Sequence, residues 1–244
     1  MIPDSFADHF ESLWLAVLFA AIFAGAGRVP LPPILARRER GLVSFFAGLS
    51  LAYVFVHLLP ELETAKASLK LPRYLRLPPE PYLVSLAALV GCLLFFALGR
   101  LDADDRARPS ALGARIRLAV FAFYVAVVSY SRIALVEHDG IPPLLFAIAM
   151  GTHFFALDHA LGRDLGAWYR QRGGFALAGA SLFGWAAGAT EAVGAPVMLL
   201  LFGFVAGAVI ANSLIEELPD AQQTRLGPFL AGSLLYALIL LPLG

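Results

Sequence analysis

Long apolar stretches alternate with short polar or proline-rich stretches along most of the chain. A helix that crosses a membrane needs roughly 20 consecutive, mostly apolar residues. By this measure the pattern predicts eight membrane-spanning helices in a single domain covering residues 1–244. They are placed at about residues 10–27, 41–60, 81–99, 117–137, 142–161, 174–193, 197–217 and 227–243. Because every intervening loop is short, the pattern favours an all-α, polytopic membrane protein.

Lysine and arginine are distributed unevenly between the two sets of alternate loops. One set holds thirteen basic residues and the other holds four, while Arg132 lies within the fourth segment. Basic residues concentrate in cytoplasmic loops. We therefore expect a multi-pass protein of a plasma membrane, of the bacterial inner-membrane type, with both termini non-cytoplasmic. The residues before the first segment are acidic rather than basic, so a cleaved signal peptide is not expected.

The overall composition agrees with this pattern and excludes several function classes. The chain is 59% hydrophobic and 15% charged, and its mean hydropathy of +0.77 is too high for a soluble domain. Its formal net charge is zero, so nucleic acid is not an expected partner. The single cysteine, Cys92, allows no disulfide within the chain. A glycine-rich phosphate loop, a Ser/His/Asp constellation and the CxxC and HExxH motifs are all missing, so we do not expect an enzyme.

The second and seventh segments share an internal spacing. Each contains an Ala-Gly pair, ending at Gly48 or Gly207, and each has a proline twelve residues after the glycine, Pro60 or Pro219. With the topology above, these two helices run in opposite directions, as in the inverted repeats of secondary transporters. The spacing indicates an inverted repeat of helices one to three and six to eight around helices four and five. A chance match between common helix motifs is the alternative.

Three stretches of the chain resemble the ZIP family of divalent-metal transporters, which has eight helices and both termini outside. Phe46 to Glu61 is similar to the family's second helix, which ends in Leu-Pro-Glu. Gly188 to Ala195 is similar to the sixth-helix motif Ser-Gly-x-x-Glu-Pro-x-Gly-Ala, and Phe204 to Pro219 resembles the seventh helix. The resemblance implies a ZIP-like bundle that moves divalent metal cations by alternating access. Zinc or another divalent metal would be the substrate rather than a tightly bound cofactor. The other implied partner is the lipid bilayer, and a homodimer is left open.

The resemblance also implies a metal site near the midplane, although this chain carries only part of it. Glu191 and His153 match the family's helix-six glutamate and helix-five histidine. The family's second helix-five ligand falls on Leu157, and Asp158 is the nearest carboxylate. Residues i and i+5 of a helix do not share a face, so His153 and Asp158 do not form the family's chelating pair without a local bulge. Segment four lacks the family's His-Asn-x-Pro-Glu-Gly and carries Arg132 instead, which makes the site degenerate.

Other charged residues lie near the predicted helix ends. If the topology is right, one group marks each mouth of a transport path, where carboxylates would concentrate cations. In the alternative interpretation, the same residues are charged helix ends at the membrane interface and have no role in transport. The residues in question are His57, Glu61, Glu216 and Glu217.

Three functional interpretations follow. The first is divalent-cation transport, with His153, Glu191 and Asp158 as candidate metal ligands and with Arg132 and the charged helix ends along the path. The second is a non-transporting ZIP-like protein in which Arg132 neutralises Glu191 and the bundle is a sensor or a partner-binding scaffold. The third is transport of a different solute, such as a proton-coupled anion held by Arg132.

Overall fold

The structure of the protein is a computed structural model that describes seven stretches of the chain. These are residues 4–25, 39–68, 81–104, 111–134, 142–190, 193–215 and 225–243. Within them the secondary structure is helical and no strand is present. The predicted all-α class is therefore confirmed for the part of the chain that the structure describes.

Each predicted segment overlaps a helix, and the helices are numbered here in chain order. They are α1 (Asp4–Gly25), α2 (Glu39–Tyr53), α3 (Leu59–Ser68), α4 (Pro81–Asp104), α5 (Ala111–Ala134), α6 (Pro143–Asp164), α7 (Gly174–Gly188), α8 (Ala195–Ile215) and α9 (Leu226–Leu240). A π-helical turn, Val54–Leu58, joins α2 to α3. The short helical piece Gly166–Trp168 and a second π-helical turn, Tyr169–Gly173, join α6 to α7. The chain ends in a 3₁₀ turn, Leu241–Leu243.

The second predicted segment was placed at about residues 41–60, and the helix continues beyond it through α3 to Ser68. Proline lacks an N–H group, and its ring clashes with the carbonyl four residues earlier, here that of Val56. The π-helical turn accommodates this conflict, since its Leu59 N–H bonds to Val54 O, five residues back. The proline of the Leu-Pro-Glu stretch thus lies inside a continuous helical rod.

Five helical stretches are long and apolar enough to cross a membrane by length and composition. They are Gly41–Thr64, Tyr82–Gly99, Ala111–Ser131, Pro143–Asp164 and Pro196–Ser213. Two shorter apolar helices, Ser12–Gly25 and Leu226–Leu240, accompany them. Large apolar side chains such as Val90, Leu93 and Leu238 are more than half exposed, as expected of a surface that faces lipid. These features indicate a membrane-embedded helical protein. The count of eight spans stays a prediction.

The helices pack as two groups. In the first group α2 contacts α9 and α8, and α4 contacts α8, with α3 beside them. In the second group α7 packs on α1 and α5, and α1 also contacts α5 and α6. The two groups meet where α2 contacts α6 and where α5 contacts α8. Aromatic rings fill these junctions, as in the pairs Phe46–Phe155, Tyr53–Phe146 and Phe123–Phe204.

Glycines bring helix backbones into direct contact inside the first group. A Cβ atom on Gly207 of α8 would overlap the backbone carbonyl oxygen of Ala88 in α4, and one on Gly91 would overlap that of Phe204. The α2–α9 contact is built in the same way, through Gly48 against Phe229 and Gly232 against Phe45. Small residues permit this close approach, which lets van der Waals packing hold helices together where water supplies no hydrophobic driving force.

A hydrogen-bonded ladder of small polar side chains holds the second group together. Ser129 of α5 and Ser181 of α7 lie 3.0 Å apart, and Ser181 also donates to the carbonyl of Ala16 in α1. One turn further along α7, Trp185 Nε1 donates to Ser12 Oγ at 3.0 Å. Because all these groups find partners, they link α1, α5 and α7 without leaving a polar atom unsatisfied in apolar surroundings.

The glycine contacts generate the first prediction. Gly207→Ala should destabilise the protein by about 1–3 kcal/mol, because the new methyl group forces α8 away from α4. Gly179 of α7 has open space around its Cβ position. Gly179→Ala should therefore stabilise the protein by about 0.5–1 kcal/mol, through a lower backbone entropy loss. Unfolding of both purified variants in the same detergent would measure the difference between their free energies of unfolding. Equal stabilities would contradict the close contact of α8 with α4 at Gly207.

Candidate functional site

His153 of α6 lies fully buried in the second helix group. Its Nε2 atom is 3.0 Å from the Tyr124 hydroxyl of α5, and both side chains are 0% exposed. The rings of Phe154 and Phe95 lie around the pair at 5.5–6.0 Å from the Tyr124 and His153 centroids. The imidazole therefore sits in an aromatic, water-excluded environment. A metal ion could use Nε2 only by displacing the tyrosine hydroxyl.

Asp158 lies five residues further along α6, and its hydrogen bond goes to a different tyrosine. Tyr169 donates to Asp158 Oδ1 at 2.7 Å, and the two residues are 0% and 1% exposed. The tyrosine ring lies against Gly162 and Gly173, where a Cβ atom at residue 173 would overlap the ring. Gly166 begins the turn that carries Tyr169 back to α6, and its φ of 62° is a left-handed conformation that glycine favours.

The structure thus engages His153 and Asp158 in two separate tyrosine hydrogen bonds. Because residues five apart point in different directions around a helix, this division follows from the sequence spacing. Among the described residues, no group of three or more His, Cys, Asp or Glu side chains is placed to hold a metal ion. A site with more protein ligands would require residues from beyond the described part of the chain.

Glu191 is such a residue. It lies outside the described residues, but the backbone on both sides of it is placed. Thr190 ends the turn after α7, and the Val193 N–H donates to the Tyr130 hydroxyl of α5 at 2.9 Å. Val193, two positions after Glu191 in the sequence, is therefore bonded to the helix that carries Tyr124.

The remaining candidate residues are described to different extents. His57 lies in the first π-helical turn, half-buried, with its ring centroid 5.5 Å from that of Tyr53. Since Tyr53 packs on Phe146 of α6, His57 is near the junction of the two helix groups. Glu61 and Arg132 lie in helical backbone, but their side chains are outside the described part. Glu216 and Glu217 lie outside the described residues altogether.

The sequence analysis did not single out Arg117, which lies at the start of the predicted segment 117–137. The structure buries Arg117 in α5, where its Nη2 atom is 3.1 Å from Asp164 Oδ2 and its guanidinium lies 5.9 Å from the Phe121 ring centroid. Opposite charges at the facing ends of two consecutive predicted helices were the available signal. Tyr169 had no such signal, because its contact with Asp158 depends on the π-helical turn.

Comparison with known proteins adds no family assignment. The chain matches no protein-family model, and it has no significant match among curated proteins.

The second prediction concerns the tyrosine that bonds Asp158. Tyr169→Phe should cost about 1–3 kcal/mol, because a buried carboxyl group loses a hydrogen-bond donor. Gly173→Ala should act through the same contact by pushing the ring away, so the double variant should be less destabilised than the sum of the single variants. Tyr82→Phe is the control, since Tyr82 is 62% exposed. Additive effects in a double-mutant cycle of unfolding free energies would contradict the coupling.

Proposed function

We propose that the protein is a ZIP-like membrane transporter that moves divalent metal cations by alternating access. In this proposal the chain spans the membrane eight times with both termini non-cytoplasmic. Helices α1 to α4 and α7 to α9 form an inverted repeat around α5 and α6. His153 and Glu191 contribute to a reduced cation site near the middle of the bundle, and acidic residues lie at both mouths.

The contact that carries this proposal is the reciprocal glycine packing. Gly48 contacts the carbonyl of Phe229, and Gly232 contacts that of Phe45. In the other half, Gly207 contacts the carbonyl of Ala88, and Gly91 contacts that of Phe204. The carbonyl residue precedes the glycine of its own helix by three positions in all four cases. Because residues three apart share a helix face, close glycine packing favours this spacing in any helix pair, but its occurrence in both pairs, in reciprocal form, supports a repeat.

The helix pairing supports the same symmetry. If α1 corresponds to α7, α2 to α8, α4 to α9 and α5 to α6, the α4–α8 contact maps onto α9–α2. The α5–α8 contact likewise maps onto α6–α2, and α5–α7 maps onto α6–α1. Secondary transporters with inverted repeats bind their substrate between the halves, near the midplane. His153 occupies one of the two central helices of this arrangement.

The chemistry of the candidate residues favours a divalent cation. Imidazole and carboxylate are ligands that suit zinc, iron and manganese. A site with few protein ligands keeps water on the cation and binds it weakly, which is compatible with release on the far side of the membrane. The Tyr124 hydroxyl lies within hydrogen-bond distance of the imidazole Nε2 and orients the ring.

The third prediction tests transport directly. Proteoliposomes containing the natural chain should take up zinc, iron or manganese, and Glu191→Ala should abolish that uptake. His153→Ala should lower uptake by about tenfold or more, the order expected when a ligand is removed. His159→Ala is the matched control, because it removes another imidazole of α6 that lies on a different side of the helix. Absence of uptake by a folded natural chain would refute the proposal.

The hydrogen bonds of His153 and Asp158 favour a second candidate function. Both side chains are bonded to buried tyrosines, so the described candidate ligands are held by the protein itself. This supports a non-transporting ZIP-like protein in which Arg132 neutralises Glu191. The bundle would then serve as a sensor or a scaffold for a partner.

The fourth prediction separates the two functions through stability. In the non-transporting protein, Arg132→Met should cost about 3–5 kcal/mol, because a buried carboxylate loses its counter-ion. Combining it with Glu191→Gln should recover most of that loss. In the transporter, the two substitutions should act independently on the unfolding free energy. A double-mutant cycle in detergent measures the coupling and needs no transport activity.

A further inference from the structure

Two polar side chains near the carboxyl end of α8 are buried, and each has an atom that no described residue bonds. Asn212 and Ser213 are each 1% exposed. Neither Asn212 Nδ2 nor Ser213 Oγ has a hydrogen-bond partner in the described part of the chain. They are two adjacent positions on one helix, and neither belongs to the candidate metal site.

Comparable buried serines in the same bundle are bonded. Ser50 donates to the carbonyl of Phe46 in its own helix, Ser131 donates to that of Val128, and Ser129 pairs with Ser181. Most buried polar groups in proteins have such partners, or are bonded to water or a ligand. Leaving Asn212 and Ser213 unbonded costs stability. The simplest explanation for their presence is that water or a ligand bonds them in another state of the protein.

The position of Asn212 on α8 directs it into the bundle. The face of α8 that contacts α4 carries Gly203 and Gly207, and Ala211 continues their four-residue spacing. Asn212 is about 100° further round the helix, in line with Val205 and Ala208, which are 4% and 0% exposed. Its amide therefore points neither toward lipid nor into the glycine contact.

From this placement we propose that Asn212 and Ser213 form a polar, water-containing position on the path of the transported cation, which we call the hydrated step. The inference rests on the proposed transport function. An amide and a hydroxyl offer both donors and acceptors to the water around a divalent cation. Being uncharged, they exchange hydrogen bonds with that water without holding the ion tightly, as passage through the membrane requires. In the structure described here this step is closed off from solvent, and it opens in another state of the transport cycle.

Cysteine labelling tests whether water reaches the hydrated step. The chain has a single native cysteine, so Cys92→Ala gives a background free of thiols. In proteoliposomes of this background, Asn212→Cys should react with a small charged methanethiosulfonate reagent at least about tenfold faster than Ala211→Cys. Ala211 is the matched control because it is adjacent, 2% exposed and on the face that packs against α4. Equally slow reaction of both cysteines overturns the proposal.

Asn212→Leu tests whether the step serves the cation. Because no hydrogen bond is lost, the melting temperature should stay the same or rise, while manganese uptake should fall by about tenfold or more. The control Ser50→Ala removes a bonded hydroxyl and should leave uptake unchanged. A lowered melting temperature in Asn212→Leu, or unchanged uptake, overturns the role in transport.

The labelling and uptake measurements can contradict the two proposals independently of each other. If the natural chain moves no cation at all, the proposed function is wrong, but fast labelling at position 212 would still establish a hydrated position there. If the natural chain transports manganese while position 212 stays unreactive, the transport function stands and the hydrated step is wrong.

Discussion

The close contact of helix backbones at glycine is the constraint on which the first helix group depends. In apolar surroundings, side chains gain little by leaving lipid for the protein interior, so association relies on shape and van der Waals contact. At Gly48, Gly91, Gly207 and Gly232 the helices approach until a single added carbon would overlap a carbonyl oxygen. The α2–α9 and α4–α8 pairs are the result. The second group also has such a contact, Gly184 of α7 against the carbonyl of Ala126 in α5, and adds aromatic packing and a ladder of serine hydrogen bonds.

A second constraint governs the polar side chains. A buried polar group without a partner is costly, and the described interior meets this cost mainly with tyrosines. Tyr124 bonds His153, Tyr169 bonds Asp158, and Tyr130 receives the N–H of Val193. All three tyrosine contacts lie in the second helix group or lead to the segment around Glu191. These hydrogen bonds thus involve α5, α6, the π-helical turn before α7 and Val193.

The glycine contacts and the tyrosine hydrogen bonds both bear on function. The reciprocal glycine packing supports the proposed repeat, and Tyr124 bonds the buried imidazole of His153 within the second helix group. Cation transport through such a site would require Tyr124 to exchange its hydrogen bond for a metal–imidazole bond. The bonded state described here is then one conformation of a cycle, or, in a non-transporting protein, the permanent one. Asn212 and Ser213 differ from every other buried polar pair named above, because nothing in the described chain bonds them.

The sequence by itself determined the helical class and the approximate position of each long apolar helix that the structure describes, because the length and apolarity of a segment fix whether it can lie in a membrane. It also indicated that His153 and Asp158, which are five residues apart, would not share a helix face. Only the tertiary structure decided which helices meet, that helix continues past Pro60, and that Arg117 is buried against Asp164. The pairing of Asp158 with Tyr169 was equally beyond prediction, since it depends on a π-helical turn and a left-handed glycine. Periodicity and hydropathy are local properties of the chain, whereas partners across helices depend on how whole helices rotate and cross.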